Sequence, residues 1–118
     1  MEDGNPLANL DEETQRQIQE LQMMEQAFQQ LLMQKNAFSM EANETNLVIR
    51  EVEKVEGEIS RIVGGQVVIK TTKEAVLEDM KKKKELIETR MKAINKQEGE
   101  FSTKMELIRE EIMKKIQG

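Results

Sequence analysis

The chain has 118 residues, a net charge of −5, and 35% charged against 3% aromatic residues, a balance that suits solvated helices burying a stripe and leaves no large globular core. It contains neither cysteine nor histidine, which excludes disulfides, thiol chemistry and the side chain most used for proton transfer and metal ligation at neutral pH. No apolar run approaches a membrane span and the N-terminus is acidic rather than signal-like, so the expected setting is soluble and cytoplasmic.

Residues 1–10 read as a short tail or an early helical turn, with Asn5 before Pro6 suited to a cap and first helical position. Asp11 is a second start signal, because Glu12 and Glu13 complement the helix dipole. From there to Glu56 neither Pro nor Gly interrupts, and apolar residues recur at Leu21, Met24, Phe28, Leu31, Phe38, Ile49 and Val52. Spacings built from threes and fours predict one helical arm over residues 11–56. Gly57 suits a left-handed position at its end. Two β-rich runs, Ile59–Val63 and Val67–Ile69, flank Gly64-Gly65 and predict a hairpin over residues 58–71. Thr71 followed by Glu74 reads as a capping box for a second arm over residues 72–117. Its seam is Leu77, Met80, Ile87, Met91, Ile94, Phe101, Met105, Ile108 and Ile112. Gly99 interrupts it as a local bend or a point of close contact, and costs about 1 kcal/mol relative to Ala.

Folding the chain about the Gly-Gly centre joins residues whose numbers add to about 129, a short connection between adjacent elements. Seam then meets seam: Val52 with Leu77, Ile49 with Met80, Phe38 with Met91, Phe28 with Phe101, Met24 with Met105, and Leu21 with Ile108. Three layers carry a polar member: Thr45 with Lys84, Lys35 with Ile94, and Leu31 with Glu98. Such layers weaken a coiled coil and fix its register. Residues 1–56 hold 12 acids and 4 bases, a balance of −8, whereas residues 57–118 hold 11 acids and 14 bases, a balance of +3. Fold-back places these opposite charges together; the competing arrangement pairs each helix with a second chain. The expected fold is mainly α, a long antiparallel two-helix coiled coil with one central β-hairpin, in a single domain over 1–118.

A lone hairpin is marginal in water, and this one is apolar on both faces with unpaired edges. Ile59, Ile62, Val63, Gly64, Gly65, Val67, Val68 and Ile69 are therefore the candidate oligomerisation residues, joining strands from other subunits into a larger sheet or barrel. The plainer alternative has the hairpin cap the coiled coil on Val52, Val55 and Val76.

The segment Asn43-Glu44-Thr45-Asn46-Leu47-Val48-Ile49, the hairpin Ile62-Val63-Gly64-Gly65-Gln66-Val67-Val68-Ile69-Lys70 and the following Thr71-Thr72-Lys73-Glu74-Ala75-Val76 resemble the β-class subunits of prefoldin. The resemblance covers the middle third in motif and nearly the whole chain in architecture. It departs at Glu58-Ile59-Ser60-Arg61, where an aromatic often precedes the glycine segment. It implies a hexamer of two α-class and four β-class subunits whose hairpins build a β-barrel body carrying six coiled-coil arms. It also implies ATP-independent capture of unfolded proteins at the arm tips and transfer to a group II chaperonin. Partners would be an α-class subunit, further β-class copies, client proteins and the chaperonin. The free ends of both arms would lie together, making Leu7, Leu10, Ile18, Ile112, Met113 and Ile116 the candidate client-binding residues, because unfolded chains expose similar apolar groups. The competing function is a structural coiled-coil adapter for one folded partner.

Met24, Met80, Met91 and Met105 fall on the seams and read as core, while Met23 and Met33 lie beside the first seam as candidates to widen a groove facing the cavity between arms. Lys81-Lys82-Lys83-Lys84 is the strongest charge run. It reads as a solvated helix face, with contact to an acidic neighbouring arm as the alternative; nucleic acid would want a basic total and aromatics. Catalysis finds no support: Ser39, Ser60 and Ser102 have no histidine base, Glu110 and Glu111 do not share a helix face, and Gly64-Gly65 joins strands instead of opening a helix. No metal, cofactor, membrane or nucleic acid is expected.

Overall fold

The computed structural model describes residues 11–117. Helix α1 spans Glu12–Lys54, strands β1 and β2 span Ile59–Val63 and Val67–Thr71, and helix α2 spans Lys73–Gln117. Helix, hairpin and helix follow one another as the sequence predicts. The Asn5-Pro6 start signal lies outside the described residues; Asp11 supplies the cap. Its carboxylate accepts the Thr14 N–H at 2.7 Å and its carbonyl accepts the Gln15 N–H at 3.0 Å, satisfying donors that a helix start leaves open. The chain packs as two compact units.

The first unit comprises residues up to Gln34 and from Ile94 onward. Met24, Met105, Ile108 and Ile112 form its buried cluster, flanked by Ile18, Leu21, Phe28 and Phe101. Ion pairs cross from α1 to α2 at Glu13–Lys115 (3.5 Å), Glu20–Lys104 (3.7 Å) and Glu25–Arg109 (3.1 Å), and the Gln17 amide donates to Glu111 at 2.6 Å. Four residues forward from Glu13 to Gln17 match four residues back from Lys115 to Glu111, which is antiparallel pairing. Exposed pairs of this kind contribute about 0–1 kcal/mol each. Apolar burial along the stripe therefore carries most of the stability.

The second unit runs from Lys35 to Ala93 and holds the hairpin. Val76 and Ile87 are buried in it, with Thr45 only 2% exposed. The Thr45 hydroxyl donates to the Glu41 carbonyl one turn back at 2.8 Å, so this polar layer is satisfied within α1 while Lys84 stays exposed. The Arg90 guanidinium lies 5.7 Å from the Phe38 ring centre, and Glu41 pairs with Lys83 at 3.9 Å. Both contacts again join α1 to an antiparallel α2.

Three local expectations shift. Helix α1 ends at Lys54, ahead of Gly57, whose φ of 123° bends the link to β1; the helix end itself is closed by a Val55 N–H to Val52 carbonyl bond at 3.1 Å and by Lys73. The cap of α2 is Thr72, not Thr71. Thr72 Oγ1 accepts the Ala75 N–H at 3.1 Å, while Thr71 is held in β2 opposite Ile59. The turn takes in Gln66 as well as the two glycines: Val63 pairs with Val67, and the Gln66 N–H donates to the Val63 carbonyl at 3.4 Å. Gly64 and Gly65 have φ of 63° and 75°, the left-handed values that tight hairpin turns demand. At Gly99 α2 continues unbroken, and an added Cβ would meet nothing within 4 Å. Close contact within the chain is therefore not its role.

Candidate interaction surfaces

The hairpin register sorts side chains onto two faces. Ile59, Arg61, Val63, Val67, Ile69 and Thr71 alternate onto one, and Ser60, Ile62, Val68 and Lys70 onto the other. Ile62 is 68% and Val68 65% exposed, and Val63, Val67 and Ile69 are exposed too. Ile59 is half-buried. Among the described residues β1 and β2 pair only with each other. Each strand thus keeps one open edge beside an apolar surface, a combination that favours pairing with further strands.

Beside β1 lies a cavity of about 420 Å³ whose apolar lining comes from Val48, Val52, Ile59, Ile62, Val76 and Met80. Arg61 reaches from β1 to α2 and pairs with Asp79 at 2.7 Å. That ion pair ties the hairpin to α2, while the Lys73 bonds join the start of α2 to the end of α1. The hairpin is anchored yet keeps its apolar faces open.

In the first unit the start of α1 and the end of α2 lie together, as Glu13–Lys115 shows. Leu7 and Leu10 lie outside the described residues. Ile18 packs on the buried cluster and Ile112 belongs to it, at 7% exposure, so both lend their apolar surface to the helix pair. Met113 and Ile116 remain 50% and 42% exposed. They present apolar side chains at the paired helix ends. Met23, Met33, Met40 and Leu47 are further exposed apolar groups of α1; Met40 escaped the sequence reading and Leu47 entered it only within a motif, although their seven-residue spacing marks one helix face.

The Asp11 carboxyl sits below its usual range chiefly because the Thr14 hydroxyl lies beside it and the Thr14 N–H bonds it; partial burial opposes this and Lys115 adds attraction. Among the described residues no cluster of three or more acidic, histidine or cysteine side chains could hold a metal ion. No helix among them is long and apolar enough to cross a membrane. A second cavity, of about 530 Å³, is lined by Asn43, Asn46, Ile49, Arg50 and Lys84. Ile49 and Lys84 drew notice in the seam reading and Asn43 and Asn46 only as part of a motif, because a seam search passes over polar neighbours of the seam.

Comparison with known proteins agrees with this architecture. The model of a prefoldin subunit family matches residues 15–118. The prefoldin subunit beta of Pyrococcus furiosus is 31% identical over 114 residues, covering 95% of this chain and 93% of the relative. That of Methanosarcina acetivorans is also 31% identical, covering 92% and 94%. The crystal structure of the prefoldin beta subunit from Thermococcus strain KS-1 matches in fold with a TM-score of 0.86 at 24% identity, over 93% of this chain and 97% of that one.

Proposed function

Because the chain belongs to the prefoldin beta subunit family, whose members are non-enzymatic chaperone subunits, we propose that it works as the β-class member of a hetero-hexamer. In that assembly it holds unfolded proteins without ATP and passes them to a group II chaperonin in the cytoplasm. The observation that carries this reading is the hairpin: two open edges and apolar side chains exposed on both faces suit insertion into a barrel shared with other subunits. Ile59, Ile62, Val63, Val67, Val68 and Ile69 supply the barrel contacts, and Gly64-Gly65 sets the turn that aligns them. The free helix ends supply the client surface. Met113 and Ile116 offer adaptable apolar groups there, Leu7 and Leu10 extend the surface, and Ile18 and Ile112 brace the helix pair that carries it.

The test is aggregation of a denatured model protein in the presence of the complex purified with its partner subunits. Complex lacking residues 1–10 and 109–118 of this chain should assemble normally and lose its suppression of aggregation. Full suppression by the truncated complex would refute the client surface. Binding to one folded protein, with no effect on unfolded ones, would refute the chaperone mechanism in favour of an adapter.

A further inference from the structure

We propose that the notch lined by Asn43, Asn46, Ile49, Arg50 and Lys84 seats a carboxylate from α1 of a neighbouring copy of this chain, an inference that rests on the assembly reading above. Asn43, Asn46 and Arg50 follow one another at spacings of three and four, which puts them on one face of α1. Lys84 joins them from α2. The lining thus offers a guanidinium, an ammonium and two carboxamides, with no acid among them. A planar guanidinium fork beside amide donors matches the two oxygens of a carboxylate.

Charge bookkeeping in this unit points outward. Lys82 pairs with Glu78, Lys83 with Glu41 and Arg61 with Asp79, while Lys73 caps α1. Arg50 and Lys84, in contrast, make no ion pair among the described residues, and Glu51, the neighbour of Arg50, faces Lys54. The four-lysine run is therefore not one uniform solvated face: two of its members are engaged within the chain, and Lys84 lines the notch. Complementary charge is available on a second copy. The first 56 residues carry 12 acids against 4 bases, and the carboxylates of Glu44, Glu53 and Glu56 make no ion pair among the described residues. The same unit bears the apolar hairpin, so strand pairing between copies would bring one copy's acidic α1 toward another's notch. A polyanion such as nucleic acid is disfavoured by the net charge of −5.

The test uses the purified complex reassembled from equal parts of unlabelled and nitrogen-15-labelled chain with its partner subunits. Zero-length carbodiimide coupling followed by mass spectrometry should join Lys84 to an α1 glutamate in mixed-isotope peptides. The double variant Arg50→Gln/Lys84→Gln should keep its helical circular dichroism and need roughly tenfold higher concentration to stay assembled at low salt, a gap that closes as salt rises. An intact assembly with no mixed-isotope Lys84 product, or with unchanged dissociation of the double variant, overturns this inference alone. A chain that stays monomeric with its partners present overturns it together with the assembly reading.

Discussion

The Lys73 ammonium, on the first residue of α2, donates to the Glu53 carbonyl at 2.8 Å and to the Val55 carbonyl at 3.4 Å. These carbonyls lie in and just beyond the last turn of α1, where the helix has no partners of its own and the dipole is negative. One side chain therefore closes the first helix from the start of the second. Lys73→Met should lower unfolding stability by about 0.5–1 kcal/mol. Urea titration should register the loss, and amide exchange should quicken at Val52–Glu56 before it does elsewhere.

Asp11 ties stability to pH. Its folded pKa lies below the unfolded one, so its contribution is fully present above about pH 4, the unfolded value, and disappears as pH falls through the folded value. Asp11→Ala should unfold at a lower temperature than the parent at pH 7. The two melting curves should converge on acidification below that window; a constant gap down to pH 2 would show that the carboxylate is not the cap.

Two glycines should respond to alanine in opposite directions. Gly99 is helical and faces open space, so Gly99→Ala should stabilise by about 0.5–1 kcal/mol. Gly65 has a φ of 75°, where a side chain is strained. Gly65→Ala should destabilise by about 1 kcal/mol and disturb assembly. Thermal melts of both variants and native mass spectrometry of the complex check the pair.

Burial and exposure should separate stability from capture at the paired helix ends. Ile108→Ala removes a buried side chain and should cost about 2–4 kcal/mol. Met113→Ala lies on the surface and should change stability by less than about 0.5 kcal/mol while weakening suppression of client aggregation. Denaturant midpoints measured beside an aggregation assay distinguish the two effects.

Val67→Lys with Ile69→Lys should leave the helices of the chain intact and break the complex into smaller species. Both side chains are exposed in the chain alone, so only loss of shared strands would explain such scatter. An intact hexamer in native mass spectrometry would remove the hairpin from assembly.

Heptad spacing made the two helices legible, and β-branched runs around two glycines made the hairpin so. What stayed hidden was chemistry that crosses elements. The apolar template shows a gap between Phe38 and Ile49; the structure fills it with half-buried Ala42, too small to score, and with buried Thr45, which fold-back had already placed in a polar layer. Thr71 and Thr72 carry the same hydroxyl, and only strand pairing with Ile59 decides that the second one caps. Lys73 reads as an ordinary charged residue until the fold brings the end of α1 within its reach. Leu7 and Leu10 stand where they began, as candidates from sequence; Ile112 already stood in the second seam, and Ile18 could have been recognised as a seam member from its spacing to Leu21.

Four ion pairs that join α1 to α2 draw the acid from α1 and the base from α2: Glu13, Glu20, Glu25 and Glu41 against Lys115, Lys104, Arg109 and Lys83. This polarity has a consequence during synthesis. The first helix leaves the ribosome before its complement exists, with an apolar stripe and no cover. Two such segments on neighbouring ribosomes would meet acid against acid, and like charges opposed along a helix face repel. The nascent first helix is thus kept apart from its own kind until the basic helix of the same chain emerges to claim it.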